Sequence, residues 1–293
     1  MSSNHILIFD SGLGGVTVLR DVHARLSHSQ LSQCHSRLSP CYSYALDNEW
    51  FPYGEKSDAS LLQRILTYFE LLLEQVRPDL VVIACNTAST LALDSLRQRF
   101  AVPFVGVVPA IKPAVQLSRT GTIGLLATPA TVKRNYVERL QAEYGNGCRL
   151  IKISCPSLVA LAEAKMRGEG VCRHRLEQAV ADIRAQDGVD QVDVFVLGCT
   201  HFPALRDELA AYWPEQVQWL DSGAAIARRV ESLLLAAGEL DDGEAEAGVP
   251  ARLFHTAPFT GEATVTALEA IFSGFGISAL EHLRLPSVAA ETL

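Results

Sequence analysis

The chain has 293 residues, of which 48% are hydrophobic and 20% are charged, and its formal net charge at pH 7 is −8. This composition is typical of a soluble globular protein with a large core and one or two domains. The acidic excess argues against nucleic acid or an anionic membrane surface as an electrostatically attracted partner. No apolar stretch approaches the roughly 18 residues of a membrane span, and no secretory signal pattern is visible.

Short apolar runs alternate along the chain with segments in which apolar residues recur at helical spacing. The first predicted strand covers 5–9 and runs into D-S-G-L-G-G, which opens a helix. Continuous apolar strands alternating with helices are typical of parallel sheets covered on both faces, so the predicted fold class is α/β. The further predicted strands are 42–46, 80–84, 104–108, 122–127, 149–153, 193–198, 217–220 and 251–255, and the predicted helices are 59–75, 88–99, 131–144, 173–186, 204–212 and 223–236.

Three segments show neither pattern. The polar, Ser-rich stretch 27–40 and the acidic, Gly-rich stretch 236–250 are predicted to be surface loops, and 286–293 is predicted to be a loose tail. Seven cysteines are also present, without a C-x-x-C pair. We therefore expect free thiols in a reducing cytosol, and hence a cytoplasmic protein.

Polar and reactive side chains follow several of the predicted strands. Because the carboxyl ends of parallel strands meet at one edge of a sheet, we expect these side chains to form a site. They are Asp10 and Ser11 after the first strand, Cys85, Asn86 and Thr87 after 80–84, Thr128 after 122–127, and Cys199, Thr200 and His201 after 193–198.

Two of these strand ends resemble each other. V-V-I-A-C-N-T ends around Cys85, and F-V-L-G-C-T-H ends around Cys199. Two similar α/β halves, each contributing one thiol, would explain the similarity. The alternative is that any two buried strand ends look alike over seven residues.

Two turns could also contribute to a site. D-S-G-L-G-G at 10–15 could offer backbone N–H groups to an anion, but Thr17 stands where a dinucleotide motif needs its third glycine. Asp10 could instead be a helix N-cap. In F-P-Y-G-E-K, Tyr53 could offer a hydroxyl and Gly54 an approachable N–H, or the segment could be a plain turn before a helix.

Three chemistries are compatible with two thiols, an imidazole and a carboxylate. Cys and His are usual zinc ligands, although C-x-H with a remote Cys is an uncommon spacing. Thiol redox chemistry would favour a C-x-x-C or a resolving pair. A pair of acid/base thiols facing one carbon from opposite sides could invert a stereocentre, and only this chemistry calls for two equivalent thiols. A base thiol needs a neighbour such as Asp10 or His201.

Several motifs occur together and in order along the chain. They are I-F-D-S-G-L-G-G-V-T-V-L (8–19), F-P-Y-G-E-K-S (51–57), V-V-I-A-C-N-T-A-S (81–89), I-G-L-L-A-T-P-A-T-V (123–132), C-P-S-L-V-A-L-A-E (155–163), V-L-G-C-T-H-F-P-A-L (196–205) and L-D-S-G-A-A-I-A (220–227). Through these stretches the chain resembles the cofactor-independent glutamate racemases of the aspartate/glutamate racemase superfamily.

The resemblance implies two similar parallel-sheet α/β domains that face each other across a central cleft. The first would comprise 1–108 plus 222–293 and carry Cys85, and the second would comprise 109–221 and carry Cys199. Cys85 would take the α-proton from D-glutamate, and Cys199 would take it from L-glutamate.

The resemblance also implies roles for the surrounding residues. Asp10 would support Cys85, while His201 and Glu163 would support Cys199. No cofactor or metal would be needed, and the D-glutamate would supply bacterial peptidoglycan synthesis. Residues implied to bind the substrate are Asp10, Ser11, Tyr53, Gly54, Asn86, Thr87, Thr128, Thr200 and His201.

Some alternatives remain open. A sister enzyme of the superfamily could act on aspartate or another small acid, and a non-catalytic protein could bind a metal or ligand through the two thiols and His201. The sequence is compatible with a homodimer but does not define its face, and the role of Thr131 is open.

Overall fold

The computed structural model describes residues 4–28, 40–238 and 251–285, which form two parallel β-sheets. The first sheet has the strand order β10-β9-β2-β1-β3-β4, and the second has the order β6-β5-β7-β8. In chain order the strands are β1 (His5–Asp10), β2 (Cys41–Leu46), β3 (Leu80–Ile83), β4 (Phe104–Gly106), β5 (Thr122–Ala127), β6 (Arg149–Ser154), β7 (Val194–Leu197), β8 (Gln218–Leu220), β9 (Arg252–His255) and β10 (Ala279–His282).

Helices connect the strands and cover the sheets. The α-helices are Val16–Ser27, Asp58–Val76, Asn86–Arg99, Ile111–Leu117, Pro129–Val132, Asn135–Tyr144, Pro156–Met166, Arg173–Arg184, Arg206–Ala210, Gly223–Gly238 and Glu262–Ser273, and short 3-10 turns cover Tyr53–Glu55, Val189–Gln191 and Phe202–Leu205. Within the described residues, no helix combines the length and apolarity needed to cross a bilayer.

The central strands β1 and β3 of the first sheet are buried on both faces. Ile6 and Ile8 of β1 join one core cluster, whereas Leu7 and Phe9 join the cluster on the opposite face. The second sheet is divided in the same way between two clusters. The alternation follows from the two-residue repeat of a strand, and it confirms the predicted α/β class with parallel sheets covered on both faces.

The two sheets contain the same arrangement of four strands. The order β2-β1-β3-β4 in the first sheet corresponds to β6-β5-β7-β8 in the second, and every pairing is parallel. β3 therefore corresponds to β7, and the residues that follow them include Cys85 and Cys199. The resemblance of these strand ends reflects a structural repeat.

The chain crosses between the sheets twice, after β4 and after β8. Ser222 donates its hydroxyl to the carbonyl of Val108 at 2.5 Å, which joins the two crossings. The domain limits that the resemblance implies, at residues 108/109 and 221/222, lie in these crossings. The division into two domains with those limits stays a prediction.

All nine predicted strands are present, with small shifts at their ends. The predicted helix 131–144 is wrong as one unit, because Arg134 is extended (φ −79°, ψ 138°) and separates two helices. The helix at 204–212 begins as a 3-10 turn. Strand β10 was not predicted, because A-L-E-H is an exposed edge with no apolar run. Of the predicted loops and tail, 29–39, 239–250 and 286–293 lie outside the described residues, whereas 236–238 are helical.

Candidate active site

The predicted site residues lie at the carboxyl ends of β1, β3, β5 and β7. The two sheets bring these ends together, since side chains from one half contact side chains from the other. Gly54 is half-buried, and the side chains that are almost entirely buried are Asp10, Ser11, Tyr53, Cys85, Asn86, Thr87, Thr128, Thr131, Glu163, Cys199, Thr200 and His201.

Cys85 lies two residues after β3, at the N-cap position of the helix Asn86–Arg99. Its Sγ is 3.9 Å from Oγ of Ser11. Burial raises the pKa of the Cys85 thiol well above its ordinary value, and the nearby Asp10 and Cys199 raise it further. The N–H of Ala88, in the first turn of the helix, opposes this shift. The protonated thiol is therefore the favoured form of Cys85.

Asp10 is fully buried at the end of β1. Its Oδ2 accepts hydrogen bonds from the N–H of Gly15 at 2.6 Å and from the Thr200 hydroxyl at 3.2 Å. Burial raises the pKa of the Asp10 carboxyl, and His201 partly offsets this effect. The N-cap of the helix Val16–Ser27 is Gly15, without a side-chain capping bond, so the alternative of Asp10 as the N-cap is wrong: Asp10 lies one turn earlier, binds the N–H of Gly15 within the glycine turn and lies close enough to affect Cys85. Its Oδ1 has no hydrogen-bond partner among the described residues.

Cys199 is the first of four side chains that contact one another in a row in the second half. Nδ1 of His201 is 3.9 Å from Sγ of Cys199, and Nε2 of His201 is 2.9 Å from Oε2 of Glu163. Oε1 of Glu163 accepts two hydrogen bonds from Arg167, at 3.0 and 3.1 Å. Oε2 also accepts the backbone N–H of Leu13, from the first half, at 2.9 Å.

This row of linked side chains favours the charged forms of the His201 imidazole and the Glu163 carboxylate. Burial by itself lowers the pKa of His201, but hydrogen bonds with Cys199 and Glu163 outweigh burial and raise this pKa well above its ordinary value. Burial also disfavours the Glu163 carboxylate, yet the His201 hydrogen bond brings its pKa below the ordinary value. The pair is therefore an imidazolium donating to a carboxylate.

Three threonine hydroxyls form a cluster between the halves. Oγ1 of Thr128 is 3.2 Å from Oγ1 of Thr87 and 3.1 Å from Oγ1 of Thr131. Gly54 packs against the same threonine, since a Cβ added at Gly54 would lie 2.8 Å from Cβ of Thr128. Thr131 is completely buried, so its hydroxyl belongs to this cluster.

The hydroxyl of Tyr53 is directed into the protein. It donates to Oδ2 of Asp47 at 2.7 Å, and the same carboxylate accepts hydrogen bonds from Arg64 and the Thr256 hydroxyl. The hydroxyl that the turn at 51–56 could offer to a substrate is thus already used. What this turn leaves available is its backbone.

Sequence analysis missed three contributors to the site. The backbone N–H of Leu13 carries no side-chain signal. The ring of Phe51 lies 5.4 Å from the imidazole of His201 and shields it. Arg167 could have been found, because it stands four residues after Glu163, the spacing of an ion pair on one helix face.

The described residues contain no group of three or more His, Cys, Asp or Glu side chains placed to hold a metal ion. The site instead brings together two thiols, two carboxylates and an imidazole, all buried. These reactive groups of the described residues are suited to proton transfer.

Comparison with known proteins leads to a family of enzymes that move protons. The family model of the Asp/Glu/hydantoin racemases matches residues 16–230, and the chain belongs to this family. It is 39% identical to the glutamate racemase of Vibrio campbellii over 287 residues, which cover 98% of each chain. It is 46% identical to the glutamate racemase of Salmonella typhimurium over 230 residues, 78% of this chain and 76% of that one.

Solved structures give the same result. The glutamate racemase of Escherichia coli, in complex with L-glutamate and an activator, matches with a TM-score of 0.82 and 38% identity, covering 97% of this chain and 99% of that one. Glutamate racemase RacE1 of Bacillus anthracis matches with a TM-score of 0.72 and 25% identity, covering 97% and 98%. These matches confirm the family resemblance and the α/β fold.

Proposed function

We propose that this chain interconverts L- and D-glutamate without a cofactor, using Cys85 and Cys199 as the two proton carriers. The observation that carries the proposal is the placement of one buried thiol at each of two equivalent strand ends, with a carboxylate near each. Glutamate racemases at 38–46% identity that share most of this chain support glutamate as the substrate.

The proposed reaction moves one proton in and one proton out. From L-glutamate, the thiolate of Cys199 takes the α-proton, which leaves a carbanion at the α-carbon. The thiol of Cys85 then donates its proton to the opposite face, giving D-glutamate, a Cys199 thiol and a Cys85 thiolate. The reverse direction uses the same groups in exchanged roles. Hydrogen-bond donors already in place stabilise the carbanion, because they need not reorganise during the step.

The substrate's charges have matching groups in the cleft. Oδ1 of Asp10 and Oδ1 of Asn86 are buried acceptors with no partner among the described residues, and they suit the α-ammonium group. The N-terminus of the helix Asn86–Arg99 and the hydroxyls of Ser11, Thr87 and Thr128 suit the carboxylates. His201 contacts Cys199, and Glu163 binds His201.

The biological role follows from the product. D-Glutamate is a building block of bacterial peptidoglycan, and we place its synthesis in the cytoplasm. The described cysteines are all free, as expected of a reducing compartment. Association into a homodimer is part of the same proposal, and sedimentation velocity of the purified protein tests it.

The first experiment follows the α-proton. Metal-free protein is incubated with L-glutamate in D₂O, with proton NMR and optical rotation recorded on the same sample. We expect the α-proton resonance and the optical rotation both to disappear. Deuterium should appear first in D-glutamate, while the remaining L-glutamate keeps its α-proton. Faster labelling of the substrate than of the product would contradict two separate proton carriers. Aspartate in a parallel sample tests specificity, and unchanged signals for both acids overturn the proposal.

Thiol variants test the assignment of the proton carriers. Cys85→Ser and Cys199→Ser should each abolish racemisation, because a serine hydroxyl is a far weaker acid than a thiol. Cys172→Ser is the matched control, since Cys172 is an exposed free cysteine, and it should keep the parent rate. Normal rates in either of the first two variants would exclude the two-thiol mechanism.

A further inference from the structure

Arg134 reaches from the second half of the molecule into the first. It lies between the helices Pro129–Val132 and Asn135–Tyr144, and only 12% of its side chain is exposed. Its Nη1 donates to the carbonyl of Thr87 at 3.3 Å and to Oγ1 of Thr90 at 3.1 Å, while Nη2 donates to Oδ1 of Asp58 at 2.7 Å. One planar guanidinium thus joins two separate segments of the first half.

Both of those segments lead into the site. Thr87 is two residues after Cys85, and Asp58 begins the helix that follows the turn containing Gly54. The same two segments meet Thr128 of the second half, through the hydroxyl of Thr87 and through the close packing at Gly54. Arg134 therefore fastens the groups that face Thr128 from the opposite side of the cleft.

We expect the contacts of Arg134 to affect the relative position of the two halves more than the free energy of unfolding. Asp58 is 64% exposed, and an ion pair with an exposed partner adds little to folding. The carbonyl and the hydroxyl that Arg134 contacts are held in place by the helix Asn86–Arg99, where Oγ1 of Thr90 also donates to backbone carbonyls. Loss of the guanidinium would leave both halves folded but less firmly joined.

We propose that Arg134 is a positioning residue of this site, which holds the cleft closed by fastening Thr87 and the Gly54 turn against Thr128. The inference rests on the proposed function. When closure is less favourable in the free protein, the ligand must supply more of the free energy of closing, so apparent affinity falls. At saturating substrate the closed complex still forms, and the chemical step is retained.

The test compares Arg134→Met with Arg139→Met. Arg139 lies on the adjoining helix, is exposed and stacks over Tyr136, so its loss should leave the kinetics unchanged. For Arg134→Met we expect KM to rise about tenfold for both enantiomers, with kcat within about twofold of the parent and a melting temperature like that of Arg139→Met. Asp58→Asn should raise KM by a smaller factor, because it removes the charge of one of the three partners of Arg134 and leaves the other two contacts unchanged.

A readout independent of activity is amide hydrogen exchange. In Arg134→Met without substrate, segments 51–58 and 86–90 should exchange faster than in the parent and in Arg139→Met. Unchanged KM together with unchanged exchange overturns the inference, and so does a loss of kcat with KM retained. A parent protein that does not racemise glutamate overturns the proposed function instead, and the exchange measurement still decides whether Arg134 fastens the two halves.

Discussion

Thr200 donates its hydroxyl to Oδ2 of Asp10 at 3.2 Å, although Thr200 follows β7 of the second sheet and Asp10 ends β1 of the first. The opposite half provides the same kind of contact, since the N–H of Leu13 donates to Oε2 of Glu163 at 2.9 Å. Each of these two buried carboxylates is thus hydrogen-bonded by the half that does not carry it.

This reciprocity links the position of the halves to the charge of both carboxylates. A hydrogen bond donated to a carboxylate favours its charged form, and burial opposes that form. If the halves separated, Asp10 and Glu163 would each lose one donor at the same time. Under the proposed mechanism, a change in the position of the halves would therefore change the electrostatics around both thiols together.

Removing the charge of Glu163 should weaken the Cys199 side of the site. In Glu163→Gln the imidazolium of His201 loses its carboxylate partner, so the pKa of His201 should fall. We expect kcat from L-glutamate to drop on the order of 100-fold. Because the equilibrium constant between enantiomers is one, kcat/KM must fall equally in both directions. Steady-state kinetics measure this, with the exposed Glu177→Gln as control. A parent-like kcat would contradict the role of Glu163.

The His201–Glu163 pair should make stability depend on pH. Since the folded-state pKa of His201 is raised, its contribution is full below about pH 6.5 and is lost as pH rises towards that raised pKa. The folded-state pKa of Glu163 is lowered, so its contribution is present above about pH 4.3 and is lost as pH falls towards that lowered pKa.

The free energy of unfolding of the parent should therefore exceed that of His201→Gln most between about pH 4.3 and 6.5. Above that range the difference should shrink by up to about 1.4 kcal/mol per pH unit. Urea unfolding of both proteins at a series of pH values measures it. A difference that stays constant from pH 5 to 9 would show that the pair does not titrate as described.

Gly14 should not tolerate even a methyl group. A Cβ at this position would collide with the imidazole of His201. We expect Gly14→Ala to lower stability by about 1–3 kcal/mol and to reduce kcat, because the ring must shift away from Cys199. Gly274→Ala is the control: its φ is −61° and the nearest neighbour of the added Cβ is 3.8 Å away. Thermal unfolding and kinetics of both variants distinguish a collision with His201 from the effect that replacing any glycine by alanine has on the backbone.

The Tyr53 hydroxyl should matter for stability rather than for substrate affinity. Tyr53→Phe removes a donor to the buried Asp47 carboxylate, which should cost about 1.5–3 kcal/mol, with KM for glutamate within about twofold of the parent. Tyr68→Phe removes a bond to the neutral carbonyl of Leu46 and should cost less, about 0.5–1.5 kcal/mol. A tenfold higher KM with unchanged stability in Tyr53→Phe would instead assign its hydroxyl to the substrate.

Much of the fold and site could be predicted because the relevant signals are local. Apolar runs mark strands, and the rule for parallel strand ends places Asp10 beside Cys85 at the end of the first sheet and Thr128 beside Cys199 at the end of the second. The missed strand β10 had no such signal, since an exposed edge strand need not be apolar.

The sequence by itself determined an α/β fold with parallel strands covered on both faces, a thiol at each of two similar strand ends, and the polar residues around them, while the two separate sheets were implied by the family resemblance. Only the tertiary structure decided that Leu13 donates to Glu163, that the Tyr53 hydroxyl is used by Asp47, and that Arg134 spans the cleft. The physical reason is that these contacts depend on side-chain direction and on how the two halves are placed against each other. Local periodicity describes each strand and helix singly and carries no information about that placement.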